Sequence, residues 1–294
     1  GTDTLKHFEE LEFDNFTIYL DGRNNTQLVE DHAMIVSEDS DGTIDLLAGA
    51  WDFEGDTLTV TGASGGTLND SDFSFDASGN YDHLAVGEST TKEFTFSITD
   101  GTNVTTNTVT VTIEGENDAT VTANDSGSAD EDSAGIGGNV LINDFDVDAS
   151  DVLSVANAGN FELTYGTLIV DSEGGWSFTP NEAAQGLDDG DSVSESVTLD
   201  ISDGHGIVNS ELSITVTGSN DAPIVTDDSG STDEDSAGIS GNLLANDSDV
   251  DANDALSVAN AGNFTMTYGA LSVATDGSWS FTPNAIAQSL AVGE

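Results

Sequence analysis

The sequence predicts an all-β chain, a linear series of two-sheet sandwiches. Three observations carry this expectation: apolar residues alternate at period two, Asp-Gly pairs separate the alternating stretches, and the chain repeats itself. Phe94, Phe96 and Ile98 are interleaved with Thr95 and Ser97, and Val109, Val111 and Ile113 with Thr110 and Thr112. Val197, Leu199 and Ile201, then Leu212, Ile214 and Val216, form two further faces of the same kind. Alternation among β-branched and aromatic residues is the pattern of a half-buried strand. Asp100-Gly101 and Asp203-Gly204 lie between the members of each pair, which is hairpin-turn chemistry. Trp176 and Phe178 share one face, and Pro180 ends that strand because it cannot donate to a ladder. The nearest thing to a helical stripe is Leu5 to Leu20, and its Thr17-Ile18-Tyr19-Leu20 reads better as strand.

The repeat sets the organisation. Trp176-Ser177-Phe178-Thr179-Pro180-Asn181 recurs as Trp279-Ser280-Phe281-Thr282-Pro283-Asn284, 103 positions on. Asn117-Asp118, Glu131-Asp132-Ser133 and Val155-Ala156-Asn157 recur at the same offset as Asn220-Asp221, Glu234-Asp235-Ser236 and Val258-Ala259-Asn260. A more diverged copy lies upstream, where Glu38-Asp39-Ser40 matches Glu131-Asp132-Ser133. The expected division is residues 1–29 as leading strands or the tail of another module, then repeats at 30–117, 118–220 and 221–294. Leu84-Ala85-Val86-Gly87-Glu88 matches the closing Leu290-Ala291-Val292-Gly293-Glu294, so the third repeat is expected to stop before its last two strands, the counterpart of Ser192 to Thr217. The opening and closing residues give the sequence the look of a segment of a longer chain. Repeats of roughly 100 residues with about seven short strands suit two-sheet sandwiches.

Charge removes several classes of function. Three Lys and Arg stand against 56 Asp and Glu, a formal net charge of −53, and cysteine is absent. Three cations cannot cover a phosphate backbone or an anionic membrane surface. No apolar run is long enough to span a bilayer, and disulfides and cysteine catalysis are excluded. The same charge destabilises any compact state by self-repulsion, so a chain with such regular strand patterning calls for counterions.

The acids are not spread evenly. Asn143-Asp144-Phe145-Asp146-Val147-Asp148-Ala149-Ser150-Asp151 recurs as Asn246-Asp247-Ser248-Asp249-Val250-Asp251-Ala252-Asn253-Asp254. Alternating Asp in an extended segment brings every second carboxylate to one side. Carboxylates that close raise one another's pKa and oppose folding, and a hard dication removes the cost. Ca²⁺ accepts six to eight oxygen ligands in adaptable geometry, whereas Mg²⁺ demands a stricter shell. Zinc and copper prefer His or Cys, and the histidines, His7, His32, His83 and His205, are scattered singly.

The linker Gly218-Ser219-Asn220-Asp221-Ala222-Pro223, the early Glu131-Asp132 and the Asp144 to Asp151 run together resemble the cadherin-like, VCBS-type repeats of large bacterial RTX-type calcium-dependent adhesins. That resemblance implies Ig-like sandwiches in series, an extracellular or cell-surface location and export by type I secretion. It also implies junctional calcium sites built from an early Glu, a linker Asn-Asp and an Asp-x-Asp in the next domain. Carried onto this chain, one junction would draw on Glu38, Asn117, Asp118, Asp146 and Asp148, and Asp144 and Asp151 of the same acid run are further candidate metal ligands. The next would draw on Glu131, Asn220, Asp221, Asp249 and Asp251, with Asp247 and Asp254 as further candidate ligands from the run, and Glu234 repeats the early Glu in the third copy. The first copy departs from the pattern, with Asp52, Glu54 and Asp56 where the others carry the longer run. Gly1 to Leu5, followed by Glu10-Leu11-Glu12-Phe13, resembles the tail that follows RTX modules.

Blander readings stand beside these. Acid runs also occur as solvated loops that keep a protein soluble. Trp176 and Trp279 alternate with Phe178 and Phe281 and are expected in the core, while Trp51, among acids, is the better candidate for an exposed carbohydrate platform. A catalytic carboxylate pair means little among so many acids, and no nucleophile elbow is present. The expectation is therefore a non-enzymatic, calcium-rigidified extracellular spacer of an adhesin or biofilm-matrix protein. A polysaccharide-binding module and a self-assembling filament using β-strand donation are the alternatives.

Overall fold

A computed structural model describes residues 9–12 and 16–290. Among the described residues every regular element is a strand apart from two short 3-10 turns, at Ala184–Gly186 and Ala287–Ser289. The Gly1 to Leu5 stretch, Phe13 and the last four residues, over which the RTX-tail resemblance and the closing match partly run, lie outside the described residues. The chain divides into two compact units. One holds residues 1–121, 144–153 and 202–208, the other 122–143, 154–201 and 209–294.

In the first unit β1 (Glu10–Glu12) and β2 (Thr17–Tyr19) form a small antiparallel pair. The sandwich follows with β3 (His32–Ser37), β4 (Asp41–Asp45), β5 (Thr59–Ala63), β6 (Thr67–Asn69), β7 (Asp72–Asp76), β8 (Ser89–Thr99) and β9 (Val104–Glu114). One sheet runs β3-β9-β8-β5 and the other β4-β7-β6. Strands β8 and β9 are the long hairpin expected around Asp100-Gly101, and Gly101 takes φ 95°, a conformation that glycine adopts without steric cost. Its alternating residues fill the core: Phe96, Ile98, Val109, Val111 and Ile113 are buried, packed with Val36, Leu46 and Phe73. Strand β3 joins β9 in parallel, His32 opposite Val109, a pairing that alternation alone does not signal.

In the second unit the strands are β10 (Asp125–Asp130), β11 (Ile136–Asn139), β12 (Ser154–Val155), β13 (Gly159–Glu162), β14 (Gly166–Val170), β15 (Gly175–Pro180) and, apart from residues 202 and 207–208, which fall in the first, β16 (Ser192–Ser202) and β17 (Ile207–Thr217). They make two facing sheets, β10-β17-β16-β12 and β11-β15-β14-β13. The core between them holds Leu168, Val170, Phe178, Leu199, Ile201, Leu212, Ile214 and Val216, with Trp176 packed on its side. Pro180 is the last residue of β15, opposite Gly166.

The third sheet, β18 (Ile239–Asn242), β21 (Ser278–Pro283), β20 (Gly269–Val273) and β19 (Gly262–Met266), repeats β11-β15-β14-β13. Its register is the same: Ile239 faces Phe281 as Ile136 faces Phe178. No second sheet covers it among the described residues. Residues 228–233, which match β10, carry no strand. An open groove of about 470 Å³ is left over Ile239, Leu271, Trp279 and Phe281.

Candidate metal centres

Each long hairpin hands its chain to a linker through a glycine that nothing larger could replace. A Cβ on Gly115 would lie 2.1 Å from the Leu84 carbonyl oxygen, and one on Gly218 would lie 2.3 Å from that of Asp188. The close approach lets the linker lie against the loop at Leu84 or Leu187, where the early Glu of the repeat is also held. Glu38 Oε1 accepts the Glu116 N–H at 2.8 Å, and Glu131 Oε1 accepts the Ser219 N–H at 2.7 Å. Three residues beyond each linker Asp an isolated bridge, Val121 with Phe145 or Ile224 with Ser248, lays the linker beside the acid run. The Asp118 N–H then donates to Asp148 Oδ2 at 3.0 Å, and the Asp221 N–H to Asp251 Oδ2 at 2.8 Å.

The result is two trios. Glu38, Asp118 and Asp148 in the first unit offer carboxylate oxygens all within 4.8 Å of one another, and so do Glu131, Asp221 and Asp251 in the second. A further group, Asp249, Asp251 and Asp254, shares Asp251. Glu38 is 1% exposed, Asp148 2%, Glu131 2% and Asp251 4%. Carboxylates are almost never buried to this degree without partners. Yet Glu38 Oε2, Asp118 Oδ2 and Asp148 Oδ1 in the first trio, and Glu131 Oε2 and Asp251 Oδ1 in the second, are buried with no hydrogen-bond donor.

The electrostatics follow from that geometry. Burial pushes the Glu38 carboxyl above the ordinary range, against the backbone donation from Glu116, and the charges of Asp148 and Asp118 add to it. Burial likewise raises Asp148, with Asp146, Asp151 and Asp203 pushing the same way. It raises Asp118 too, beside Asp39, Asp148 and Asp82. In the other unit burial raises Glu131, and Asp221 and Asp254 are raised as well, each among neighbouring acids. These oxygens fit a hard cation: they are oxygen-only, desolvated and short of positive charge.

The remaining expected residues fall into three sets. Asp146 lies beside the first trio, accepting Thr120 Oγ1 at 2.8 Å and the Asp148 N–H at 3.1 Å. Asp151 has a buried oxygen without a donor, and Asp144 also has a buried carboxylate oxygen. Asn117 and Asn220 do not offer their amide nitrogens outward; each donates to the carbonyl of the next residue, Asp118 or Asp221. Asp247 is turned to the Thr226 N–H at 2.8 Å, and Glu234 joins no acidic group among the described residues. Nor do Asp52, Glu54 and Asp56 form one.

Asp203 is a residue that spacing alone does not single out. It is 6% exposed and faces Asn117 and Thr120 beside the first trio. Burial pushes its pKa up, but the N–H groups of Gly206 and His205 and the side chains of Asn117 and Thr120 outweigh it, so the carboxyl titrates below the usual range. Its signal in the sequence is the hairpin Asp-Gly, which by itself speaks only of turn geometry.

Residues 117–218 and 220–292 match the bacterial cadherin-like domain family, and residues 24–114 match the bacterial Ig domain family. Domains of these kinds are typical of extracellular or surface proteins and are typically non-enzymatic structural modules. A comparison with curated proteins finds no match. Among solved structures, human protocadherin-24 EC1-2 is similar at 18% identity and TM-score 0.42, over 65% of this chain and 95% of that one. PcdhgB3 EC1-4 is similar at 16% and 0.49, over 87% and 66%. Drosophila N-cadherin EC1-4 is similar at 12% and 0.39, over 86% and 65%. No helix among the described residues is long and apolar enough to cross a membrane. With matched segments covering more than half of its length, the chain belongs to the bacterial cadherin-like domain family.

Proposed function

We propose that this chain is a calcium-clamped spacer segment of a large extracellular adhesin or matrix protein, without a catalytic role. The observation that carries the reading is the set of donorless buried carboxylate oxygens in the two trios. A buried charge without a partner is costly, and three together are worse. Oxygen-only ligands in irregular loops favour Ca²⁺ over Mg²⁺ or Zn²⁺. The first site would be held by Glu38, Asp118 and Asp148, with Asp146 and Asp203 beside them. The second would be held by Glu131, Asp221 and Asp251, with Asp249 and Asp254. In each, the early Glu belongs to one sequence repeat and the Asp-x-Asp to the next. A cation there therefore ties successive repeats and stiffens the chain. The RTX-type adhesin setting and type I export rest on the sequence resemblance alone.

A polysaccharide-binding role is the second reading, and one observation favours it. Trp51 is 51% exposed and Phe53 41%, packed edge to face with ring centres 5.6 Å apart.

The test is calcium titration of the metal-free chain, followed by its melting. A ligand binding only the folded state at 100 times its Kd contributes about 2.7 kcal/mol per site. Saturation is expected in the millimolar range of extracellular modules. Asp148→Ala and Asp251→Ala should each remove one share, and Asp171→Ala, in a surface turn, should remove none. Melting that ignores chelator sinks the proposal. Oligosaccharide binding abolished by Trp51→Ala would favour the second reading.

A further inference from the structure

The head of the first repeat carries a related arrangement, with Asn25 in place of Asp118 or Asp221 and Glu54 in place of Asp148 or Asp251. Leu28 bridges to Trp51 just as Val121 bridges to Phe145 and Ile224 to Ser248. Three residues before each bridge lies the linker residue, and three after it lies the acid that accepts its N–H. In the head that acid is Glu54, whose Oε2 accepts the Asn25 N–H at 3.2 Å. Asn24 Nδ2 donates to Asp100 Oδ2 at 2.8 Å, as Asn117 Nδ2 does to Asp203 Oδ2 at 3.5 Å. Asp100 Oδ1 accepts the N–H groups of Thr102 and Asn103 at 2.7 Å, as Asp203 Oδ1 accepts those of His205 and Gly206 at 2.6 Å.

The difference that bears on a cation is at residue 25. Where the trios have Asp118 and Asp221, the head has Asn25, which is 3% exposed. Its Oδ1 accepts the Tyr19 N–H at 2.6 Å, and that contact fixes the amide orientation, since a backbone N–H cannot face an NH₂ group. Its Nδ2 therefore points the other way, donating to the Tyr19 carbonyl at 3.0 Å and to Glu54 Oε1. Both amide hydrogens are used, and among the described residues the head keeps one donorless buried carboxylate oxygen, Asp52 Oδ2, where the first trio has three. One of the chain's three Lys and Arg residues also sits here: the Arg23 guanidinium lies 3.8 Å from the centre of the Tyr19 ring.

We infer that the head of the first repeat is a cation-free version of the junction, in which the Asn25 amide supplies the hydrogen-bond donors that a cation would otherwise replace. Substituting Asn for Asp removes one negative charge and adds two N–H donors, one of which serves the Glu54 carboxylate directly. The inference rests on the reading of the two trios as cation sites. It replaces the expectation of a bound ion at Asp52, Glu54 and Asp56. It further makes the site latent, since a single Asn25→Asp change restores the acid found in the other two.

Hydrogen exchange of the whole chain, with Ca²⁺ and with chelator, tests it. In the wild type, protection of the Asp118 and Asp221 amides should fall roughly tenfold or more on chelation, while that of Tyr19 and Asn25 should hold. In Asn25→Asp the Tyr19 and residue-25 amides should become calcium-dependent, and equilibrium dialysis should count one more bound Ca²⁺ per chain. Asn25→Ala, which removes the donors without adding an acid, should lower protection at Tyr19 equally with and without calcium. If the wild-type head responds to chelation alongside Asp118, the inference is wrong while the trio reading stands. It is equally wrong, with the trio reading intact, if Asn25→Asp adds neither a bound ion nor calcium dependence. If Asp118 and Asp221 ignore chelator, the trio reading fails and takes this inference with it.

Discussion

The sheets β11-β15-β14-β13 and β18-β21-β20-β19 share sequence and register, yet only the first is a core. Leu168, Val170 and Phe178 are 0%, 2% and 1% exposed. Their counterparts Leu271, Val273 and Phe281 are half-buried, and Phe264 and Tyr268 reach 40% and 47% exposure. The difference is the covering layer: Leu199, Ile201, Leu212, Ile214 and Val216 pack on the first sheet, whereas no described strand packs on the second, where the segment around Gly230 lies against Trp279. Local pattern and turn chemistry are enough to specify strands and register. Burial, and with it most of the stabilisation at about 25 cal/mol per Å² of apolar surface, comes from a second layer.

The sharpest way to break this comparison is to shave the same ring in both sheets. Phe178→Ala should cost about 3–5 kcal/mol, the usual range for a fully buried phenylalanine. Phe281→Ala removes less burial and should cost well under half of that. Denaturant unfolding with hydrogen exchange read separately over β13 to β15 and β19 to β21 distinguishes the two. Equal losses would mean that the third sheet is covered in solution.

How much of this could be read from the sequence follows the same line. The alternating residues of β8, β9, β16 and β17 were legible because hairpin strands with one buried face announce themselves. Strands β10 and β11, Asp-Ser-Gly-Ser-Ala-Asp and Ile-Gly-Gly-Asn, were not, since they have almost no apolar residues to alternate. Their composition is dictated by one large neighbour: a Cβ on Gly127 would lie 2.6 Å from Trp176 Cη2, and one on Gly138 would lie 2.9 Å from its Nε1. The parallel pairing of β10 with β17 is likewise tertiary. At the candidate metal centres the family resemblance pointed to Glu38, Asp118 and Asp148 among other residues. Asp203 and the Asn25–Glu54 pair depend on a hairpin turn and an amide orientation that only the fold reveals.

The early glutamates give the next contrast. Glu131 is 2% exposed and sits in a trio, whereas Glu234, its equivalent 103 positions on, is half-buried outside any acidic group among the described residues. The folded-state pKa of Glu131 is raised by burial. A raised carboxylate contributes stability that is fully present below its unfolded pKa and is lost as pH rises through the folded value. In chelator, therefore, Glu131→Gln should stabilise the chain at neutral pH, and the gap to wild type should close as pH falls toward the ordinary carboxylate range. With saturating calcium the sign should invert, because the variant loses a ligand. Glu234→Gln should shift the melting temperature little in either condition. No inversion at Glu131 would mean that its orphan oxygen meets no cation.

The smallest difference is expected where the two sheets are locally alike. The turn before β15 passes through Gly174 at φ 83°, and the turn before β21 through Gly277 at φ 80°. A Cβ would come within 2.6 Å of Leu141 Cγ in one and of Leu244 Cγ in the other. The penalty for an alanine at either site comes from the backbone conformation, from that leucine and from the Asn139 or Asn242 side chain beside it, and the covering layer has no part in it. Gly174→Ala and Gly277→Ala should each cost on the order of 1–3 kcal/mol. Measured by exchange within the sheet concerned, the two costs should agree to within about 0.5 kcal/mol. A much larger loss at Gly174 would show that the covering layer also enforces the turn, and the division between local register and tertiary burial would then fail at its simplest point.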